Sequence, residues 1–195
     1  MSFLKSSGIL DMQYEVDGDR VLLRAPQMAD HGAWAQLRAQ SRDFLRPWEP
    51  TWARDDLSRA AFRRRLRHYQ RDIRADYTYP FFIFRKSDNA LVGGITLANV
   101  RRGVAQCGSA GYWVGERYAR QGYMSAAMKV FIEHAFDTLK LHRIEAACLP
   151  NNQPSIGLLE KSGFEREGFA RKYLRIDGEW RDHVLFALIT DKPHF

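Results

Sequence analysis

The sequence predicts an α/β domain of the α+β kind, built on an antiparallel meander of strands with helices packed against it. Helix-like and strand-like segments follow one another along the 195 residues in the order β-α-α-β-β-β-α-β-α-β-β. Short turn sequences join several strands directly, and such turns favour antiparallel neighbours. A chain of this length buries one substantial core, so we expect a single domain over residues 1–195.

Composition and cysteine usage exclude several classes of protein. Apolar residues make up 45% and charged residues 27% of the chain, as in ordinary soluble globular proteins. No apolar run approaches a membrane span, and residues 1–10 lack a convincing signal-peptide core or cleavage site. We therefore expect a cytoplasmic protein without membrane contact. Cys107 and Cys148 lack metal-ligand spacing, so we expect small buried hydrophobic residues rather than a disulfide or a metal site.

A helix is predicted over residues 28–45, with Asp30 as the candidate N-cap. The segment 46–50 ends it, because each of its prolines restricts the residue before it. Trp52 is expected to pack in the core. Trp48, flanked by prolines, suits either the core or the wall of a substrate groove.

A second helix is predicted over residues 57–76 and is rich in arginine. Its apolar face carries Leu57, Phe62, Leu66, Tyr69 and Ile73. Its other faces carry Arg59, Arg63, Arg64, Arg65, Arg67, Arg71 and Arg74. Such a run is usually a solvated face, but it also suits contact with RNA or an acidic partner. The net charge of +7 favours acidic partners, coenzyme A and nucleic acid among them, without choosing between them.

Strands dominate the remainder of the chain. They are predicted at residues 20–24, 79–85, 90–100, 105–115, 143–149, 164–176 and 180–189. Asp177-Gly178 joins the last two as a hairpin, because this pair suits a type I′ turn. Between the strands at 143–149 and 164–176, Asn152 is predicted to cap a helix that Gly163 ends.

The strand-turn-helix stretch over residues 111–128 carries the first functional signal. From about Gln121 the apolar period changes from about 2 to about 3.6 residues, which predicts a helix packed on the sheet. The turn 119–122 then lies at a helix N-terminus, where the first N–H groups lack partners and the dipole favours negative charge. Gly122 lets a phosphate approach the backbone closely. The stretch is a candidate pyrophosphate site, and the alternative is a plain loop before an amphipathic helix.

Two motifs resemble those of the GNAT acetyltransferases. Ala119-Arg120-Gln121-Gly122-Tyr123-Met124 is similar to the family's Gln/Arg-x-x-Gly-x-Gly/Ala motif, with departures at its first and last positions. Asn152-Gln153-Pro154-Ser155, followed by Leu159-Glu160-Lys161-Ser162-Gly163-Phe164, resembles the second signature, Asn-x-x-Ser/Ala, a helix and Gly-Phe. The two signatures stand in the family's order and spacing.

The resemblance implies the GNAT fold, a mixed and mostly antiparallel sheet flanked by helices. It also implies that the strands at 105–115 and 142–149 splay apart at an acetyl-CoA site. The pantetheine amides are then expected to bond the backbone of Tyr112, Trp113 and Val114. The pyrophosphate is expected on the N–H groups of Arg120, Gln121, Gly122, Tyr123, Met124 and Ser125, with the Arg120 side chain adding charge-assisted contacts.

The same resemblance implies catalytic roles. The Val114 N–H is expected to bind the developing oxyanion, and Asn152 to bond pantetheine as well as to cap its helix. Many GNATs protonate the departing thiolate with a tyrosine, but the corresponding position here is Leu159. Ser155 is the better candidate for that acid, and the alternative is that its hydroxyl only caps a helix.

The general base is not identified by the sequence. A strand carboxylate that some relatives use corresponds to Ala147 here. Glu145, two residues away, Asp182 and an ordered water chain are alternatives. His183 is expected to be a structural histidine.

Four further segments resemble the RimJ/RimL type of GNAT, the ribosomal-protein N-terminal acetyltransferases, and the alanine-specific RimJ branch fits best. They are Leu45-Arg46-Pro47-Trp48-Glu49-Pro50, Asn99-Val100-Arg101-Arg102-Gly103, Leu149-Pro150-Asn151-Asn152 and Ile176-Asp177-Gly178-Glu179-Trp180-Arg181-Asp182-His183. This resemblance implies acetylation of a protein N-terminal α-amine, that of a ribosomal protein beginning with Ala or Ser. The alternatives are acetylation of a small-molecule amine on the same fold, and a non-catalytic ribosome- or RNA-binding module that uses the arginine-rich helix.

Overall fold

The computed structural model describes residues 14–191, so the segment 1–10 considered for a signal peptide lies outside the described part. The strands are β1 (Glu15–Asp17), β2 (Val21–Arg24), β3 (Tyr79–Arg85), β4 (Ala90–Arg101), β5 (Cys107–Val114), β6 (Arg143–Cys148), β7 (Glu165–Ile176) and β8 (Glu179–Ile189). The helices are α1 (His31–Gln40), α2 (Arg42–Leu45), α3 (Arg59–Arg74), α4 (Tyr123–Glu133) and α5 (Gln153–Lys161).

The eight strands of this range form one sheet in the order β1-β2-β3-β4-β5-β6-β8-β7. Neighbouring strands are antiparallel except β5 and β6, which run parallel and are connected through α4. A mixed and mostly antiparallel sheet confirms the predicted fold class. The prediction lacked β1, because a strand of three residues is too short to show a period.

Consecutive residues of β3 pack against helices on opposite faces of the sheet, since side chains alternate along a strand. Phe82 stacks on Phe62 of α3 at a ring distance of 6.3 Å, and Phe62 lies 4.8 Å from Trp34 of α1. Phe81 meets Phe131 of α4 edge to face at 6.3 Å. Helices α1 and α3 therefore cover one face of the sheet, and α4 covers the other.

The predicted helix over residues 28–45 is divided into a 3-10 turn at Met28–Asp30, α1 and α2. Asp30 precedes α1, but its side chain makes no capping hydrogen bond to that helix. Its carboxylate accepts from the Gln27 N–H at 2.7 Å and from Arg24 at 2.6 Å. Asp30 thus occupies the predicted N-cap position of α1, but its side chain closes the 3-10 turn instead of capping the helix.

Helix α3 begins after Ser58, whose hydroxyl accepts the Ala61 N–H at 3.1 Å, within the predicted range 57–76. Cys107 and Cys148 are both free and buried, as predicted. None of the helices in residues 14–191 combines the length and the apolar character needed to cross a membrane.

Candidate active site

Strands β5 and β6 separate before either of them ends. Their last paired residues are Ala110 and Ala146, whereas β5 continues to Val114 and β6 to Cys148. Over these last residues each strand keeps its other neighbour, β4 for β5 and β8 for β6. The opening agrees with the splay that the sequence predicted, and it leaves one edge of β5 without a neighbouring strand.

The register of β4 and β5 decides which backbone groups face this opening. The Gly115 N–H donates to the Val92 carbonyl at 2.9 Å. Hydrogen-bonded and non-bonded pairs alternate along an antiparallel ladder. Trp113 therefore directs its N–H and C=O toward β4, whereas Tyr112 and Val114 direct theirs into the opening. Tyr112 and Val114 can offer the backbone contacts predicted for them, whereas the backbone groups of Trp113 face β4 and are not free for such a contact.

The turn before α4 has two residues with positive φ, Arg120 at 59° and Gly122 at 81°. Gly122 is the N-cap of α4 and makes no side-chain cap. The first hydrogen bond that closes the helix runs from the Ala126 N–H to the Gly122 carbonyl, at 3.0 Å. The N–H groups of residues 123–125 precede it and lack an intrahelical acceptor, so this helix end suits an anion.

The side chains of the turn divide between solvent and core. Arg120, Gln121 and Ser125 are exposed. Tyr123 is 8% exposed and meets Tyr118 edge to face at 6.1 Å. Met124 packs at the margin of the core. The groups that face solvent here are therefore backbone N–H groups, the Arg120 guanidinium and the polar side chains of Gln121 and Ser125.

Two arginines distant in sequence stand beside this turn, and the sequence did not reveal them. Arg20 donates to the Gln121 carbonyl at 3.3 Å, and its guanidinium lies 5.0 Å from the Tyr123 ring. Arg85 donates to the Tyr123 hydroxyl at 3.3 Å while it pairs with Asp88. Sheet pairing between β2 and β3 brings the two residues together, and no local motif reports such a placement. They add positive charge where an anion would lie.

The N-terminus of α5 supplies the second part of the site. Asn152 is its N-cap, and the Asn152 Oδ1 accepts the Ser155 N–H at 3.2 Å. The Ser155 hydroxyl instead lies 2.7 Å from the Tyr112 hydroxyl across the opening. The cap predicted at Asn152 is confirmed. The Ser155 hydroxyl bonds another side chain, which speaks against the alternative that it only caps.

Burial makes two side chains near the opening, those of Tyr112 and Cys148, less acidic. Burial raises the pKa of the Tyr112 phenol, and the hydrogen bond between Tyr112 and Ser155 only partly offsets this increase. Burial likewise raises the pKa of the Cys148 thiol, against a smaller opposing effect of its hydrogen bond with Ser155. Tyr112 and Cys148 both remain protonated at neutral pH, so the opening holds hydroxyl and thiol donors rather than anions.

Two cavities adjoin the opening. One, of about 410 Å³, is lined on the α1 and α3 side by Trp34, Arg38, Glu49, Trp52 and Trp113. The other, of about 550 Å³, is lined by Pro47, Leu149, Trp180 and Asp182. Neither lining includes Trp48.

Trp52 lines the smaller cavity and is only half-buried. The expectation that it packs in the core was wrong. Its ring rests on the Arg38 guanidinium at 4.2 Å, and its N–H donates to Glu49 at 2.8 Å. The residue lies on the proline-containing loop after α2, beyond any helix face that would direct it into the core.

Glu145, one of the alternatives for the base, is held by two arginines. Arg101 and Arg143 each donate to its carboxylate at 3.0 Å. Both guanidinium groups bond to its oxygens, so the Glu145 carboxylate is already engaged by partners on the sheet surface.

The two candidates on β8 also have structural partners. The Asp182 carboxylate accepts the Lys172 N–H at 2.8 Å and closes an irregularity in β7. His183 is 3% exposed, packs against Tyr173 at 5.7 Å, and its Nδ1 lies 3.0 Å from the Arg181 carbonyl. His183 is thus a buried structural histidine, as predicted.

Comparison with known proteins places this geometry in a family. Residues 20–165 match the model of the acetyltransferase (GNAT) domain. The chain is 35% identical over 174 residues to the [ribosomal protein uS5]-alanine N-acetyltransferase of Escherichia coli K12, covering 88% of this chain and 89% of the relative. It superimposes on RimJ of Mycobacterium smegmatis, solved in complex with CoA-disulfide, with a TM-score of 0.87 and 33% identity. The superposition covers 91% of this chain and 88% of the other. It also superimposes on a ribosomal-protein-S5-alanine acetyltransferase from Vibrio fischeri with a TM-score of 0.85 and 30% identity, covering 93% of this chain and 100% of the other.

Proposed function

Because the chain belongs to the GNAT acetyltransferase family, we propose that it transfers the acetyl group of acetyl-CoA to the α-amine at a protein N-terminus. The acceptor is a ribosomal protein that begins with Ala or Ser. The observation that carries the proposal is the opening between β5 and β6, which has an anion-binding helix end on one side and the Ser155 hydroxyl on the other. The names of the relatives from Escherichia coli and Vibrio fischeri support the choice of acceptor.

The residues at the opening fit coenzyme A. The N–H groups of residues 120–125 and the Arg120 guanidinium hold the pyrophosphate, with Arg20 close by. The outward backbone groups of Tyr112 and Val114 bond the pantetheine amides as an added strand would. Bound acetyl-CoA supplies an activated acyl group and a thiolate leaving group.

The chain supplies the remaining chemistry. The Val114 N–H donates to the oxyanion that develops on the carbonyl, and Ser155 gives a proton to the departing sulfur. Asn152 keeps the first turn of α5 in place, which sets the position of Ser155. The acceptor enters from the α1 and α3 side through the 410 Å³ cavity, whose aromatic walls exclude water.

An α-amine suits this site better than a lysine side chain. The pKa of an α-amine is about 7.7–8.0, whereas that of lysine is about 10.4. The difference of roughly 2.5 units corresponds to about 3.5 kcal/mol of deprotonation, usually supplied by a positioned base. Glu145 and Asp182 are engaged elsewhere, and Ala147 leaves the other position without a carboxylate. Water therefore relays the proton from an amine that is already partly neutral.

The arginine-rich helix provides a second contact with the ribosome. Arg64 pairs with Asp55 at 2.6 Å and Arg65 with Asp56 at 2.8 Å. Arg59, Arg63, Arg67 and Arg74 have no ion pair within residues 14–191. We call these four the free arginine face. Arg59, Arg63 and Arg67 follow one another at about one helical turn, or about 6 Å, and Arg74 lies about two turns beyond Arg67. Unpaired cations in such a row suit the phosphates of ribosomal RNA near the acceptor.

Mass spectrometry of the protein with acetyl-CoA and a peptide library tests the proposal. We expect a mass increase of one acetyl group on peptides that begin with Ala or Ser. Acetylation confined to small amines, or no acetylation of any amine, would overturn it.

A further inference from the structure

The hydroxyls of Tyr112 on β5 and Ser155 on α5 lie 2.7 Å apart across the opening. We propose that Tyr112 acts through Ser155 as a proton relay: Tyr112 gives its proton to Ser155 while Ser155 gives its own to the sulfur of the leaving group. The inference rests on the proposed function and concerns the departure of the thiolate.

Ser155 alone is a poor acid for this task. An aliphatic hydroxyl is far less acidic than a thiol, whose pKa is about 8.5, so a lone Ser155 would be left as a high-energy alkoxide. A phenol is ordinarily more acidic than an aliphatic hydroxyl, and although burial raises the pKa of Tyr112, the same burial disfavours an alkoxide on Ser155. Transfer from Tyr112 in the same step removes the need for the alkoxide.

The surroundings of Tyr112 keep its hydroxyl protonated and hold it beside Ser155. Burial raises the pKa of Tyr112, so the phenol is protonated at neutral pH. The next residue, Trp113, faces the opposite side of the sheet and contacts Arg38 at 4.9 Å. The Tyr112 hydroxyl lies against Ser155 of α5, although Tyr112 also lines part of the 410 Å³ cavity.

The protons balance over one turnover. Ser155 donates its proton to sulfur as the thioester C–S bond breaks with its electron pair on sulfur, and Tyr112 donates to Ser155. The amine loses one proton when its nitrogen forms the amide bond. Solvent returns that proton to Tyr112, so both side chains end the cycle as they began it.

Tyr112→Phe removes the hydroxyl and keeps the ring. We expect kcat to fall about 10- to 100-fold, the lower part of the range for acid catalysis. The KM for acetyl-CoA and the calorimetric affinity for CoA should stay within about threefold, because the backbone of residue 112 is retained. The double variant Tyr112→Phe/Ser155→Ala should be no slower than Ser155→Ala, since both groups serve one proton transfer.

Tyr14→Phe is the matched control. Tyr14 is also a partly buried tyrosine, directly before β1, and its hydroxyl donates to the Pro80 carbonyl at 2.6 Å, remote from the opening. It should lower Tm and leave kcat unchanged. A Tyr112→Phe variant with parental kcat, a fall in kcat equal to that of Tyr14→Phe, or independent effects in the double variant would each overturn the relay. An inactive parent would instead overturn the proposed function.

Discussion

Arg38 and Glu49 form a bidentate ion pair with two N–O distances of 2.6 Å. The guanidinium is flanked by the rings of Trp52 at 4.2 Å and Trp113 at 4.9 Å. The Glu49 carbonyl accepts the Asp177 N–H at 2.9 Å. One largely buried pair thus ties α1, the loop after α2, β5 and the hairpin tip together around the smaller cavity.

Glu49→Met should destabilise the protein strongly, because it leaves the Arg38 charge buried without its partner. The expected loss in the free energy of unfolding is about 3–5 kcal/mol, and the double variant Arg38→Met/Glu49→Met should recover much of it. Urea unfolding provides the measurement. Arg64→Met is the control, since Arg64 and Asp55 are 62% and 55% exposed, and its loss should stay below about 1 kcal/mol. Equal losses for the two single variants would contradict this account.

Gly122→Asp should abolish tight CoA binding. The new carboxylate would repel the pyrophosphate, and the positive φ of 81° disfavours a side chain. We expect the calorimetric affinity for CoA to fall more than about tenfold, which corresponds to about 1.4 kcal/mol.

Gly103→Asp separates charge repulsion from backbone strain. Gly103 also has positive φ, 64°, with open space around its Cα, but it lies on the loop between β4 and β5. Its substitution should lower Tm with CoA affinity retained. If both variants bind CoA like the parent, the turn at residues 120–125 is not the pyrophosphate site.

Local sequence determined what was predictable in this molecule. The Asp177-Gly178 hairpin, the Asn152 cap and the end of α5 before Gly163 each depend on a few adjacent residues, and each agrees with the prediction. The splay followed from a family resemblance, which carries long-range information that a single motif lacks.

The contacts that escaped prediction join residues far apart in the chain. The Tyr112–Ser155 contact spans 43 residues, and the contact between Arg20 and Gln121 spans 101. Neither follows from a periodic pattern, because both depend on strand register. Trp52 was misplaced for a related reason, since its partner Arg38 lies on α1 and the loop path between them follows no regular spacing.

Asn152→Ala should lower both stability and CoA affinity. Loss of an N-cap costs about 1 kcal/mol. The same change also displaces Ser155, whose N–H the Asn152 side chain accepts at 3.2 Å. Ser58→Ala, which removes the corresponding cap of α3, should lower Tm by a similar amount without changing the affinity. If the two variants bind CoA with the same affinity, Asn152 only caps its helix and does not contribute to CoA binding.

Reversing charge on the free arginine face should weaken ribosome association. Arg63→Glu/Arg67→Glu should bind ribosomes less tightly than the parent in sedimentation assays, with the difference largest at low salt. Turnover on a short peptide should be unchanged. Lys129→Glu/Lys161→Glu makes the same change in net charge on exposed positions of α4 and α5. If both double variants bind ribosomes as tightly as the parent does, the free arginine face is only a solvated surface and does not contact the ribosome.

Paired peptides test the central claim, acetylation of a protein α-amine, most directly. One peptide begins with a free Ala or Ser and lacks lysine; its partner has a blocked N-terminus and an internal lysine. The account predicts acetylation of the first, measured as kcat/KM by mass spectrometry, with the second at least about 100-fold slower, in line with the roughly 2.5-unit pKa difference. Efficient acetylation of the blocked, lysine-containing peptide would contradict it.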